Sequence, residues 1–438
     1  MEEVSASDDP YSTFSLHVSD SSFKLAAAAM ERGEIPDAEG IRPEEFYNAF
    51  DYGDPSPAVN EPVACVVEQS AHPAFPQRNL MRVAVRTGSA GRAQTTPLNL
   101  TLLLDNSGSM EREDRAEGVG QAVEQLASLL QPGDKVTVAG FSRQPRLLVD
   151  RLDGGQAGQL NGLVAQLPSE GGTNLEEALV LGEELAKRQY IEGAQNRVVL
   201  FTDGAANLGD ADPESLNGRV EALRQNGISF DAAGFGADGL NDRLLERLTR
   251  NGNGRYYVVD DAVEAGEGFA DKLAGAFRPQ AENVKVQIVF NPARVGNYKL
   301  IGFEKHRLKK EDFRNDSVDA AEMASEEAGV ALYQFEVLPE GEGEIGEVSV
   351  RFRDVGSGEM VERTWTIPYD PSAPSFDQAA ESLQLAALAA FAAEKLRSAP
   401  MSEVVDLAEL SPVLARVAAR YPEAPRIEQL RRMIEQLR

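Results

Sequence analysis

The sequence is poor in the residues that build disulfides, zinc sites and histidine-dependent catalytic sites. Of its 438 residues one is cysteine, Cys65, and three are histidines, His17, His72 and His306. A single cysteine forms no intrachain disulfide, and isolated histidines do not have the spacing of a zinc site or a catalytic triad. The chemistry of this chain therefore depends on side chains that carry oxygen.

Basic residues are also scarce relative to acidic ones. The chain has 43 Lys and Arg against 71 Asp and Glu, which gives a formal net charge of −28 at pH 7. A nucleic-acid partner needs a basic surface that releases counterions, and an anionic lipid surface would be repelled. The composition therefore excludes nucleic acid as a partner, and the charge favours solubility.

The sequence has no apolar run of the roughly 20 residues that a membrane-spanning helix needs, so we expect no direct membrane insertion. Its first residues, Met1, Glu2 and Glu3, include two acids, which is unlike a signal peptide. We expect an extracytoplasmic protein, periplasmic or at the cell surface, whose signal or anchor is absent from this sequence. A cytoplasmic location is the less favoured alternative.

The most informative stretch is a polar loop that follows a charge-free apolar run. Residues 98–104 are too few for a helix and carry no charge, so they predict a buried strand. After them, Asp105, Ser107 and Ser109 stand at every second position, and Gly108 lets the backbone turn. Alternate residues of an extended loop face one point, where three hard oxygen donors suit Mg²⁺. By itself, such a loop more often caps a helix.

Two further polar loops favour the metal interpretation. Thr173 stands at a loop–helix junction, and Asp203 follows a second charge-free strand over residues 198–201. Both strands thus end in an aspartate at their carboxyl edge, where open α/β sheets bind ligands. The three loops together are predicted to form one metal site.

This combination of motifs resembles the von Willebrand factor A domain. The residues that carry the resemblance are Asp105, Ser107, Ser109, Thr173 and Asp203, which in that family form the metal-ion-dependent adhesion site. The resemblance implies that Ser107 and Ser109 bind the cation directly and that Thr173 does so in the ligand-engaged form. It implies that Asp105 and Asp203 act largely through bridging water. Mg²⁺ is the expected cofactor, with Mn²⁺ and Ca²⁺ as alternatives.

The order of strand and helix patterns predicts several domains. Within residues 98–278 strands alternate with helices, the last of them over 262–277. This alternation predicts a doubly wound, mostly parallel, Rossmann-like sheet. Residues 279–370 show alternating strands and glycine-rich turns, which predict an antiparallel β-sandwich. Residues 371–438 are predicted to form a helical segment, which includes a helix over 401–410. Residues 1–97 are a flanking segment with two helices, and its strands are predicted to join the sandwich, so that the metal-binding domain is an insertion.

The regions on both sides of the central domain resemble a bacterial family. Its members carry an amino-terminal flanking segment and a carboxy-terminal domain of uncharacterised function around the von Willebrand A domain. The stretches that carry this resemblance are 9–14, 42–46, 290–295, 298–304 and 315–320. The resemblance implies architecture more than activity, and family members are often predicted to be exported or lipid-anchored.

Different functions are compatible with such a site. The favoured one is a non-enzymatic adhesion or assembly module, in which an Asp or Glu carboxylate of a partner protein completes the metal coordination. The alternative is a regulatory or assembly subunit that works with an AAA+ ATPase. A metal-dependent hydrolase is least favoured, because the nearby Glu111, Glu113 and Asp114 fit better as first-turn acids of a helix than as a general base.

Overall fold

The computed structural model of the chain describes residues 3–89, 96–205, 208–209, 212–260, 269, 272–273, 277, 279–399, 404–420 and 424–437. The chain divides into two compact units. The first unit is built from two separate stretches, Met1–Gly91 and Pro279–Arg438, and the second is the stretch between them, Arg92–Arg278. Each unit has a hydrophobic core of its own.

Strands and helices are numbered in chain order across both units. The strands are β1 (Val4–Ser5), β2 (Tyr11–Ser15), β3 (Val63–Ala71), β4 (Arg78–Thr87), β5 (Leu98–Asp105), β6 (Lys135–Phe141), β7 (Pro145–Asp153), β8 (Gln195–Thr202), β9 (Ile228–Phe235), β10 (Tyr256–Val259), β11 (Pro279–Phe290), β12 (Val295–Ile301), β13 (Arg307–Leu308), β14 (Ala321–Ala324), β15 (Ala328–Val337), β16 (Gly346–Asp354) and β17 (Met360–Ile367). The helices are α1 (Ser21–Glu31), α2 (Pro43–Tyr47), α3 (Glu113–Leu129), α4 (Gln159–Ala165), α5 (Leu175–Arg188), α6 (Pro213–Gln225), α7 (Asp242–Asn251), α8 (Glu381–Leu396), α9 (Ser411–Arg420) and α10 (Pro425–Gln436).

The second unit contains a six-stranded sheet in the order β10-β9-β8-β5-β6-β7. Neighbouring strands run parallel except at one edge, where β6 and β7 form an antiparallel pair. The two charge-free strands, β5 and β8, are adjacent in the centre of the sheet. The predicted fold class, a doubly wound and mostly parallel sheet, is confirmed.

Strand β5 is buried on both faces, which explains why its sequence carries no charge before its last residue. Leu100 and Leu102 belong to the core that includes Val123 of α3 on one side of the sheet. Side chains alternate along a strand, so Leu103 points to the opposite side. There it packs so closely against α5 that a Cβ atom on Gly182 would lie 2.8 Å from a Leu103 methyl group.

The first unit contains two antiparallel sheets. One has the strand order β1-β12-β15-β4-β3, and the other has the order β13-β2-β11-β16-β17, with β14 on the side of β11. Strands from before the second unit therefore pair with strands from after it: β4 with β15, and β2 with β11. This pairing confirms that the parallel-sheet unit is inserted into an antiparallel one.

Both sheets and the carboxy-terminal helices of the first unit share one core. Between the sheets, the hydroxyl groups of Ser12 and Tyr333 lie 2.9 Å apart in a buried hydrogen bond, and the rings of Phe290 and Tyr298 stack at 4.3 Å. Helix α8 is rich in alanine and leucine and is buried on most of its surface, as expected of a helix that is apolar all round.

Some details differ from the sequence-based expectation. A helix predicted over 401–410 is wrong for its described part, because residues 404 and 407–410 form turns and residues 405–406 are irregular. There the Asp406 side chain accepts a hydrogen bond from the Ala408 N–H at 2.8 Å, a local bond that competes with helix formation. A helix predicted over 262–277 lies largely outside the described residues. The domain boundaries stay predictions. In the described part of the chain, no helix has the length and apolar character needed to cross a membrane.

Candidate metal site

The site begins at the carboxyl end of β5, where two strands bring their polar ends together. Asp105 is the last residue of β5 and is 5% exposed. Its Oδ1 accepts the backbone N–H of Ser107 at 2.9 Å, and its Oδ2 accepts the hydroxyl of Thr202 at 2.6 Å. The hydroxyl oxygens of Ser107 and Ser109 lie 3.1 Å apart. Because β5 and β8 are parallel neighbours, the two loops meet at one edge of the sheet.

The loop that carries Thr173 is held against the first loop by backbone contacts. The N–H of Glu170 donates to the carbonyl of Asn106 at 2.9 Å, and the Asn106 side-chain amide donates to the carbonyl of Pro168 at 2.8 Å. Thr173 is 2% exposed, and its carbonyl accepts the N–H of Leu208 at 3.1 Å. The Thr173 loop therefore lies between the loop after β5 and the loop after β8.

Asp203 follows β8 and is completely buried. Its Oδ1 accepts the N–H of Ala205 at 3.0 Å, and its Oδ2 is in an ion pair with Arg115 of α3. The Arg115 guanidinium also donates to the carbonyl of Ser109 at 3.1 Å and to the carbonyl of Asp238 at 2.6 Å. Arg115 thus joins three loops at the edge of the sheet.

Sequence reasoning missed Arg115 and Thr202 as parts of the site. Thr202 stands directly before the aspartate that was identified, so its position was a usable signal. Arg115 follows a run of acids at the start of α3, and only the tertiary contact with Asp203 distinguishes it from Arg112, which is exposed.

The two carboxylates of the site make a buried region that favours a cation. Burial is the largest influence on Asp105 and raises its pKa to about 6, the hydrogen bonds from Ser107 and Thr202 act to lower it, and the charge of Asp203 raises it further. A nearby cation would favour the charged form of Asp105.

The donor set fits a hard divalent cation. The carboxylate oxygens of Asp105 accept hydrogen bonds, and those of Asp203 accept a hydrogen bond and form an ion pair. The neighbouring hydroxyls of Ser107 and Ser109 present oxygen donors of the type that Mg²⁺ prefers. Among the described residues there is no group of three or more His, Cys, Asp or Glu arranged to hold a metal.

Three stretches of the chain match the models of known protein families. Residues 100–205 match the model of the von Willebrand factor type A domain, residues 2–82 match a model described as von Willebrand factor, and residues 275–344 match the model of the carboxy-terminal region of the uncharacterized protein YfbK. The chain carries a von Willebrand factor type A domain in its second unit. Such domains are generally protein-interaction modules and commonly bind a divalent metal.

Two relatives of this von Willebrand A protein extend the likeness beyond the central unit. The chain is 31% identical to the uncharacterized protein YfbK of Escherichia coli (strain K12) over 72% of its own length and 56% of that protein. It is 26% identical to the uncharacterized protein sll0103 of Synechocystis sp. over 65% of its length and 68% of that protein. The chain thus spans little more than half of the length of YfbK.

A solved structure supports the fold. The von Willebrand factor type A protein from Catenulispora acidiphila aligns with 84% of this chain and 89% of its own, with a TM-score of 0.52 and 16% sequence identity. At this level of identity the likeness concerns the fold alone.

Proposed function

We propose that this protein is a non-enzymatic binding module that holds a divalent cation, with Mg²⁺ favoured, and uses it to bind an Asp or Glu carboxylate of a partner protein. Ser107, Ser109 and Thr173 would bind the cation, and Asp105 and Asp203 would hold it through water. A divalent cation supplies, when bound, a positive centre that attracts a further anionic oxygen. The observation that carries the proposal is the meeting of three polar loops at the edge of the sheet.

The charged groups of the site support a role in binding rather than in catalysis. Asp105 and Asp203 are buried and engaged by Ser107, Thr202 and Arg115, so neither is placed to act as a general base. Few direct carboxylate ligands leave a cation with much of its positive character. A carboxylate from outside is the group that would neutralise it best.

Metal binding is tested by titrating the full chain with Mg²⁺ in a calorimeter. Ser109→Ala removes one proposed ligand, and we expect it to weaken Mg²⁺ binding at least tenfold. Ser128→Ala is the matched control, because Ser128 is an exposed serine on α3 that donates to the carbonyl of Gln125, within its own helix. Equal Mg²⁺ affinity in wild type and Ser109→Ala would refute the assignment.

The partner is tested by affinity capture from a native extract with Mg²⁺ present. A protein that is retained by the wild type, eluted by chelator and not retained by Asp105→Asn supports a metal-dependent contact. Retention that is the same with Mg²⁺ and with chelator would refute it. Asp105→Asn keeps the shape of the side chain, so the fold is expected to survive, as circular dichroism can verify.

A further inference from the structure

Beside the candidate metal loop, a groove of about 550 Å³ runs between α3 and α4. Its floor includes Leu104, Met110 and Val119, which are buried, and its wall includes Val164 and Leu167, which are half-buried. The volume falls within the range of about 300–1,000 Å³ that is typical of ligand sites. An apolar floor of this kind favours an apolar side chain as the occupant of the groove.

Among the described residues, the ionisable ones that line the groove all carry negative charge. They are Asp105, Glu111 and Glu124, and the two glutamates are exposed at the rim. An apolar floor below acidic groups suits an occupant with an apolar part and a cationic end, either one side chain or two neighbouring ones. Lys and Arg side chains pack their aliphatic stems on apolar surface and keep their charged ends in solvent, which here is beside the acidic rim. An acidic or purely apolar occupant would leave these carboxylates repelled or without a counter-charge.

The groove is continuous with the candidate metal site. Asp105 and Ser107, two of the proposed metal residues, line it, and so does Ser169, whose hydroxyl donates to the Ser107 carbonyl at 3.3 Å. An extended peptide advances about 3.3 Å per residue. A peptide with its carboxylate at the metal would therefore have its next few residues within reach of the groove.

We propose that the groove between α3 and α4 binds the part of the partner polypeptide that adjoins its metal-directed carboxylate, and selects an apolar residue next to Lys or Arg. The inference rests on the proposed function, because it places the groove's occupant and the carboxylate on one peptide. The cation contributes affinity that any accessible carboxylate can use, whereas the groove distinguishes between partners.

The test is a selection of random 12-residue peptides displayed on phage against the immobilised full chain in Mg²⁺, with elution by chelator. We expect enriched peptides to carry an Asp or Glu with an apolar residue and a Lys or Arg within about three positions. Enriched acidic peptides without those neighbours would overturn the groove proposal and leave the proposed function intact. Peptides with apolar and basic residues that stay bound in chelator and are released only by a second elution with acid would support the groove and contradict the metal. A selection without enrichment counts against the proposal.

Charge variants locate the binding of a synthetic copy of an enriched peptide. Ala165→Lys introduces a cation at an exposed position of the groove, and Gln166→Lys introduces the same charge at the adjacent exposed residue, which does not line it. We expect Ala165→Lys to weaken peptide binding by about tenfold and Gln166→Lys by less than twofold, with Mg²⁺ affinity unchanged in both. Equal effects of the two variants would refute the proposal.

On α3 a second pair of variants gives the same comparison. Glu124→Lys reverses a charge that lines the groove, and Glu117→Lys reverses an exposed charge of the same helix that does not line it. A larger loss of peptide affinity for Glu124→Lys than for Glu117→Lys is the expected result, and the opposite order would overturn the placement.

Discussion

Glu44 and Glu45 are neighbouring buried residues of α2 in the first unit, and their replacement by glutamine should have opposite effects on stability. Glu44 is 2% exposed, and burial, followed by the charges of Glu304 and Glu45, raises its pKa from 4.5 to about 7. Since the folded pKa lies above the unfolded one, the folded state retains a proton that the unfolded state has lost. The contribution to stability is complete below about pH 4.5 and is lost as the pH rises towards about 7.

The size of the effect on stability follows from the difference between the folded and the unfolded pKa of Glu44. Each pH unit between the folded and unfolded pKa corresponds to about 1.4 kcal/mol, so the loss for Glu44 is about 3 kcal/mol. Glu44→Gln is neutral at every pH and should therefore stabilise the first unit by up to about 3 kcal/mol at pH 7.5, with little effect at pH 4.5.

Glu45 instead lies 2.8 Å from the Arg42 guanidinium and accepts the N–H of Ser22 at 2.7 Å. Glu45→Gln leaves a buried guanidinium without its counter-charge and should destabilise by about 3 kcal/mol.

The assay is urea unfolding between pH 4.5 and pH 8, followed by tryptophan fluorescence. Trp365 is the only tryptophan of the chain and belongs to β17 of the first unit, so its emission reports on the unit that contains Glu44 and Glu45. In this pH range, the free energy of unfolding should fall more steeply for the wild type than for Glu44→Gln. Parallel pH profiles for these two proteins, or stabilisation by Glu45→Gln, would refute the reasoning.

Two further substitutions test contacts at the candidate site and beside Glu44. Arg115→Met leaves the buried Asp203 without the Arg115 charge and should lower the free energy of unfolding by about 3 kcal/mol in chelator. Thermal unfolding followed by circular dichroism should show that Mg²⁺ restores part of this stability. An equal loss of stability in both buffers would contradict a metal near Asp203. Gly302→Ala should destabilise the first unit by about 2 kcal/mol, because Gly302 has φ of +88° and a Cβ there would lie 2.5 Å from the Glu44 carboxylate. Gly358→Ala, with φ of +72° and no heavy atom within 4 Å of a Cβ, is the control and should lose only about 1 kcal/mol in the same Trp365 assay.

Local sequence patterns predicted the elements of the second unit and part of its site. The charge-free run that became β5 has its apolar side chains on both faces, and a strand buried on both faces cannot accept charge. Asp105, Ser107 and Ser109 stand within five consecutive residues, so their proximity depends on one loop alone. Asp203 could be placed near them because parallel strands end at the same edge of a sheet.

The flanking regions show which strands local sequence patterns can predict and which they cannot. The strands β3 and β4 were predicted, and so was their place among the antiparallel strands after the insertion, because they do not fit easily into the parallel sheet. The strands β1, β13 and β14 were not predicted, because two to four residues are too few to show a period and become strands only through a partner strand.

By itself, the sequence determined most of the longer strands and helices and which loops carry oxygen donors, because hydrophobic periodicity and turn chemistry act between near neighbours in the chain. Tertiary structure alone decided that Arg115 pairs with Asp203, 88 residues further along, that Thr202 donates to Asp105, and that α3 and α4 leave a groove beside the metal loop. These contacts depend on how distant elements pack, and no local preference of the residues involved encodes them.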